Sequence, residues 1–326
     1  MKPFEHVKAR SISEASTLLG SERDKAKILA GGTDLLGEMK DYIATPARLV
    51  NIKSVPNLNR IEWDGKKGAK LGALVTLSDI VNHKELRKQY PVLIQAIEVA
   101  AMPQIRNMAT IAGNLCQRPR CWYYRDEHTI CLKKGGSTCY AVNGENQYHA
   151  ILGGGPCHIV HPSDPAPALQ ALGASVVIHD GKQERTVPLS DFFVLPRENL
   201  YRENILKQNE VITHVLIPPP AANTKSAYIK EREKDSYDWA LASAAVVVTR
   251  DSGGKVTAAR VVLGGVAPVP WRAEAAERAL IGKTLTDETL VSAAQEALKG
   301  AQPMSKNAYK LPLAAAVVKR ALAATV

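Results

Sequence analysis

The sequence predicts an α+β protein of two domains, and three observations carry that prediction. Its 326 residues exceed the roughly 150 that one ordinary domain uses. Up to Pro218-Pro219-Pro220, short strand patterns and short helix patterns alternate, whereas beyond that proline run strands come first and helices afterwards. Between Gln104 and Cys157 periodicity is lost, and that stretch holds all five cysteines. With 45% hydrophobic and 23% charged residues the chain has the balance of a folded globular protein, which excludes disorder as its main state.

The elements follow in order. Phe4 to Ala9 reads as a strand, and Ser13 to Leu19 as a helix with Ser11 or Ser13 as N-cap. Lys27 to Ala30 is a short apolar strand that runs into Gly31-Gly32-Thr33-Asp34, after which Leu35 to Lys40 has helical composition. Arg48 to Ile52 is a strand; Arg60 to Trp63 and Lys70 to Ala73 flank the polar turn Asp64 to Gly68. His83 to Ala101 reads as one helix, because Leu86, Tyr90, Leu93, Ile94 and Ile97 recur at helical spacing. Pro165 to Leu172 is a helix, and Ser175 to His179 and Glu210 to Ile217 are strands. After the linker, residues 218–224, come strands Ser226 to Glu231, Leu241 to Arg250 and Val256 to Gly264, with a hairpin turn at Asp251-Ser252-Gly253-Gly254. Helices near Ala273 to Ile281, Asp287 to Leu298 and Asn307 to Ala324 close the chain and are expected on one face of an antiparallel sheet.

Charge and composition narrow the function classes. Lys+Arg 42 against Asp+Glu 32 gives a net charge of +10, which favours phosphate-bearing ligands or an acidic protein face. Aromatic residues at 5% are too few for the stacking platforms of single-strand or RNA binding, so no nucleic-acid partner is expected. No apolar run approaches the roughly 18 residues that cross a bilayer, so no membrane span is expected. Met1 to Lys8 lacks the apolar core of a secretory signal, which predicts a cytoplasmic chain unless a partner carries it out folded. An odd number of cysteines without such a signal argues against a disulfide framework and toward metal or redox use.

Two small-residue turns carry the ligand signal. Ile28-Leu29-Ala30-Gly31-Gly32-Thr33-Asp34-Leu35 sets two glycines and a hydroxyl between strand and helix, where backbone can approach a ligand and aim N–H groups at an anion. Thr110-Ile111-Ala112-Gly113-Asn114 is a second element of that kind, and the pair suits a ligand with a diphosphate. Cys121, Cys131, Cys139 and Cys157, separated by nine, seven and seventeen residues, suit zinc and an iron–sulfur cluster equally, with free thiols as the plain alternative. Asp164 reads as an N-cap or as a carboxylate for ribose hydroxyls, and Lys230 as a solvated edge charge. The histidines show no ligand spacing, and no residue is assigned a catalytic role.

These motifs, with Pro162-Ser163-Asp164 and Tyr228-Ile229-Lys230 in that order, resemble the FAD-binding medium subunit of the xanthine dehydrogenase and molybdenum hydroxylase family over essentially the whole chain. Within it the resemblance is closest to the aldehyde-oxidoreductase branch, through Arg118-x-Arg120-Cys121 and His161-Pro162-Ser163-Asp164 around the cysteine loop. It implies a two-subdomain FAD-binding domain of the vanillyl-alcohol-oxidase (PCMH) type at residues 1–220, with an iron–sulfur loop at about 116–160. A C-terminal α+β domain like that of carbon monoxide dehydrogenase flavoprotein would fill residues 221–326. By that resemblance Ile28 to Leu35 would wrap the FAD diphosphate, Ala100 and Thr110 to Asn114 would line the dinucleotide, and Asp164 would meet the ribose or adenine end. Ile212 would sit near the adenine or flavin, and Lys230 near flavin N1. Cys121, Cys131, Cys139 and Cys157 would hold a [4Fe-4S] cluster, leaving Cys116 without a role.

The implied function is electron transfer. A large molybdopterin-binding subunit would oxidise an aldehyde, a small [2Fe-2S] subunit would relay electrons, and FAD here would pass them to an external acceptor. The assembly would be a periplasmic heterotrimer co-exported with a partner, or else cytoplasmic. Two rivals are a xanthine-type subunit reducing NAD and, from another class, a zinc-stabilised basic binding module.

Overall fold

A computed structural model describes residues 1–234 and 236–326, in which three sheets organise the chain. The first is small and parallel: β1 (Glu5–Lys8) and β2 (Ala26–Leu29) both pair with β3 (Arg48–Asn51). The Ile12–Leu19 helix covers it, and Ser11 caps that helix by accepting from the N–H of Glu14. Ala15, Leu19, Val50 and Ile52 form the apolar layer between them.

The second sheet is antiparallel. β4 (Ile61–Asp64), β5 (Gly68–Gly72), β6 (Ser175–His179), β7 (Glu184–Pro188) and β8 (Val211–Ile217) stand in the order β4-β5-β8-β6-β7. The helix expected over 83–101 is divided into Lys84–Gln89 and Pro91–Glu98. Pro91 is the reason: its ring disfavours the α region for the preceding residue, and Tyr90 sits at φ −129°, ψ 61°. The break is used, because the buried Tyr90 hydroxyl donates to the carbonyl of Pro218 at 3.0 Å and ties this layer to the interdomain proline run. The spacing of Leu86, Leu93, Ile94 and Ile97 still marks one buried surface, carried by two short helices.

The third sheet holds β9 (Thr224–Glu231), β10 (Ala242–Arg250), β11 (Val256–Gly264) and β12 (Trp271–Arg272) in the order β12-β11-β10-β9. β10 and β11 form the expected hairpin, in register at Val246 and Val261. Alternation along β10 sorts its two faces. Ala244, Val246 and Val248 face the Glu274–Leu280, Asp287–Glu296 and Lys310–Ala323 helices, whereas Ala245, with Tyr228 and Val262, joins the core around the Pro91–Glu98 and Pro165–Ala171 helices. The sheet is therefore covered on both faces rather than the one expected.

Among the described residues, the aperiodic stretch from 104 to 157 carries only short turns of helix, at Pro103–Arg106, Ile111–Leu115 and Trp122–Arg125, plus a 3-10 turn at Leu132–Lys134. Hydrogen bonds from residues 302–310 hold its far end. The N–H of Gln302 donates to the carbonyl of Ile151, Asn307 donates to those of His149 and Ala150, and Lys310 donates to those of Tyr148 and Gly265. Lys310 is fully buried, and desolvation pulls its amine down to about 7.

The pH dependence follows from that shift. The unfolded chain keeps the Lys310 proton up to the ordinary lysine value near 10.4, and the folded chain releases it above about 7, so between these values the unfolded state binds more protons and stability rises with pH. Unfolding free energy measured at pH 6.5 and pH 9 is expected to rise by roughly 2–4 kcal/mol more in the native chain than in Lys310→Met. Parallel curves would contradict this.

Candidate functional site

The first ligand turn forms because β2 ends at Leu29 and only residues 30–34 separate it from the Leu35–Lys40 helix. Gly32 takes φ +76°, a left-handed conformation that glycine adopts without strain. Gly31 is needed for a different reason: a Cβ there would stand 2.0 Å from the carbonyl oxygen of Met108. Only hydrogen fits, and the absence of a side chain lets this turn press against the segment that leads into the second one. The second turn is shaped by Thr110, whose hydroxyl caps the Ile111–Leu115 helix by accepting from the N–H of Gly113 at 3.2 Å.

Between the two turns lies a cleft of about 290 Å³. Ile28, Ala30, Gly31, Gly32, Thr33, Asp34 and Leu35 line one side, Thr110, Ala112 and Gly113 another, and residues 201–204, 206–208 and 210–212, Ile212 among them, the far wall. The structure thus brings together most of the residues expected to wrap a diphosphate. Leu29, Ala100, Ile111 and Asn114 do not line this cleft; Ile111 is fully buried in the core, and the side-chain oxygen of Asn114 accepts from the Ser163 hydroxyl at 2.5 Å. Cys116, which had no expected role, is part of the lining, and burial pushes its thiol up to about 12.

Asp34 opens the Leu35–Lys40 helix without capping it. Its carboxylate instead accepts from the N–H of Arg118 at 2.7 Å and pairs with Arg120 and Arg125 at 2.8 Å each. These charge-assisted bonds join the first turn to the start of the cysteine loop. Glu203 extends the network by pairing with Arg118 at 2.7 Å and Lys133 at 2.6 Å. The arginines were visible in the sequence beside Cys121, but nothing in spacing alone linked them to Asp34.

Lys230 overturns the reading of a solvated edge charge. Although β9 is an edge strand, the Lys230 side chain is 2% exposed; its amine is 2.9 Å from Asp164 and donates to the carbonyl of Val99 at 3.2 Å. Asp164 likewise does not cap the Pro165–Ala171 helix; the Ser163 hydroxyl does, accepting from the N–H of Ala166. The other carboxylate oxygen of Asp164 accepts from Tyr228 at 2.8 Å. Burial raises the Asp164 pKa more than Lys230 and Tyr228 lower it. Asp164 also lines a second cavity of about 290 Å³ with Cys121, Trp122, His149 and Trp239.

The four cysteines converge. Cys157 donates a hydrogen bond to Cys139, which holds the Cys139 thiol down at about 5 and raises that of Cys157. Burial raises Cys121 to about 11, and it also feels the charge of Cys131 and Cys139. Among the described residues, no group of three or more His, Cys, Asp or Glu stands at distances that hold a metal ion. His149, passed over in the sequence, places its Nε2 3.3 Å from Cys121 Sγ.

Comparison with known proteins matches residues 2–220 to the family described as FAD binding domain in molybdopterin dehydrogenase, and residues 227–325 to the CO dehydrogenase flavoprotein C-terminal domain. The chain is 39% identical to the aldehyde oxidoreductase FAD-binding subunit PaoB of Escherichia coli K12, covering 99% of this chain and 97% of that one. It is 31% identical to the carbon monoxide dehydrogenase medium chain of Hydrogenophaga pseudoflava, covering 98% and 96%. The solved carbon monoxide dehydrogenase of that organism superposes with a TM-score of 0.79 at 32% identity, over 99% of this chain and 97% of the other.

The Gly31 contact yields a paired test. Gly31→Ala is expected to lower stability in urea unfolding by at least about 2 kcal/mol, since backbone must move to admit the methyl group. Gly37→Ala, where a Cβ meets nothing within 4 Å inside a helix, is expected to be neutral or stabilising.

Proposed function

The chain belongs to the family of FAD-binding domains of molybdopterin dehydrogenases, and on that premise we propose that it is the FAD-binding electron-transfer subunit of a molybdenum-containing aldehyde oxidoreductase. The observation that carries the reading is the glycine-enforced approach of the two turns, which leaves a cleft between them lined by the small residues Ala30, Gly31, Gly32, Ala112 and Gly113. When bound, FAD would supply the capacity to accept electrons singly and to release them singly or in pairs.

The chain's own residues would divide the work. Ala30 to Thr33 and Thr110 to Gly113 would hold the diphosphate, and Ile212 would give the far wall an apolar surface. Lys230 is fixed by Asp164 and the Val99 carbonyl, so it would offer a stationary positive charge toward the ring edge that becomes negative on reduction. With one oxygen of Asp164 on Tyr228 and the other on Lys230, its role shifts from receiving ribose hydroxyls to orienting the lysine.

For the cysteine loop we propose a [4Fe-4S] cluster on Cys121, Cys131, Cys139 and Cys157. Support comes from the donor set, four soft thiols gathered in one loop. Domain limits at residues 1–220 and 221–326, a large molybdopterin-binding subunit, a small [2Fe-2S] subunit and an external acceptor belong to the same proposal. So does the compartment, which would follow the partners: periplasm by co-export, or else cytoplasm. Among the described residues no helix is long and apolar enough to cross a membrane.

The native protein purified with its partners is expected to show flavin absorption and to release FAD on heating, with iron and acid-labile sulfide present. Absence of flavin would sink the reading, and zinc in place of iron and sulfide would sink the cluster. Cys131→Ser is expected to lose iron and keep FAD; joint loss would show that the loop also supports the flavin site. Lys230→Met is expected to retain FAD with a more negative flavin potential, and an unchanged potential would remove Lys230 from its role. Reduction of the flavin by NADH would favour the xanthine-type alternative.

A further inference from the structure

We propose that the groove beside the proline run binds an extended, acidic segment of a partner polypeptide, which adds as a strand to the free start of β9. The groove has a volume of about 1140 Å³. Its floor is the outer end of the third sheet, where the cross-strand rows Thr224–Thr249 and Ser226–Val247–Arg260 line it. Lys88 and the run Pro218-Pro219-Pro220 wall it from the other part of the chain.

The backbone of β9 supplies the first argument. Along an antiparallel strand, residues whose N–H and carbonyl face the partner strand alternate with residues whose groups face away. The carbonyls of Asn223 and Glu231 accept from the N–H groups of Arg250 and Leu241, so the odd-numbered positions face β10. The register with β10 is unbroken, which turns the backbone groups of Thr224, Ser226 and Tyr228 outward. Tyr228 is already satisfied, since its N–H donates to the side-chain oxygen of Gln95 at 2.7 Å. Among the described residues nothing in the chain pairs with the outward backbone groups of Thr224 and Ser226, and both residues line the groove. A free edge of this kind is a template for one more strand.

Charge selects the strand. Lys88, Lys225, Arg250 and Arg260 line the groove against one carboxylate, that of Asp251, which already accepts from the N–H of Lys255 in its own turn. Arg260 is held in place by donating to the Ala171 carbonyl at 3.4 Å, whereas Lys88 and Arg250 form no ion pair among the described residues. A second copy of this chain would bring the same cations to the same edge and be repelled. A small anion could use the cations but not the strand edge; an extended acidic segment uses both.

Fluorescence anisotropy of a labelled peptide of alternating Glu and Val, titrated with the full-length chain, reads the binding directly. The chain is expected to bind it, less tightly as salt rises, and to bind the Lys and Val counterpart at least roughly tenfold more weakly. Lys88→Glu combined with Arg250→Glu is expected to lower affinity for the acidic peptide by roughly tenfold or more. Ser226→Pro removes one outward N–H while the β9–β10 bonds and every charge stay in place, and it is expected to lower affinity several-fold with an unchanged far-ultraviolet circular dichroism spectrum. No binding by the native chain, or an affinity unchanged in either variant, overturns the proposal; a loss confined to the charge variant would mark a general anion surface instead of a strand site. Should Ser226→Pro fold poorly, Thr224→Pro removes the neighbouring outward N–H and gives the answer in its place. The readout involves neither flavin nor the cysteine loop, so its failure is separate from any failure of the electron-transfer reading.

Discussion

The carboxylate of Asp34 gathers three nitrogen donors from one short run of chain, the backbone N–H of Arg118 and the guanidinium groups of Arg120 and Arg125. Much of the site depends on that convergence. It turns the side chain away from capping its own helix and toward the cysteine loop, so the first ligand turn and the start of the loop become one body. Half-buried charges need partners of good geometry to offset their desolvation, and the pairs at 2.8 Å supply them. From Arg118 the network passes to Glu203 and Lys133, deeper in the loop, while residues 302–310 hold the loop's far end. Polar pins order a segment that lacks a continuous apolar face.

That division explains what was legible in the sequence. Apolar periodicity and end signals located Leu35–Lys40, the β10–β11 hairpin and the terminal helices, because local preference and burial agree there. The run over 83–101 misled because its apolar spacing continues across Pro91 although the backbone cannot. β7 was missed: Glu184 to Pro188 is mostly exposed, and it is a strand through its pairing with β6 rather than through its side chains.

The site was legible in its glycines and obscure in its charges. Gly31 and Gly32 announce a close approach, but that the approach is to Met108 is a fact of tertiary structure. Lys230 and Asp164 each had an ordinary surface reading, solvated edge and helix cap. Burial on a shared boundary between the two ends of the chain made them partners instead. His149 gave no signal at all, since its meaning lies in a contact with Cys121 across 28 residues and in anchors from the C-terminal segment.

The central claim is that two turns, held together where glycine admits a carbonyl and tied to a charged loop, form the seat of FAD. A crystal structure of the native chain grown with FAD tests it most directly. The account predicts density for the diphosphate against Gly31 to Thr33 and Thr110 to Gly113, with the ring end beside Lys230. Density for the diphosphate elsewhere, or a cleft between these turns left without it, would contradict the account.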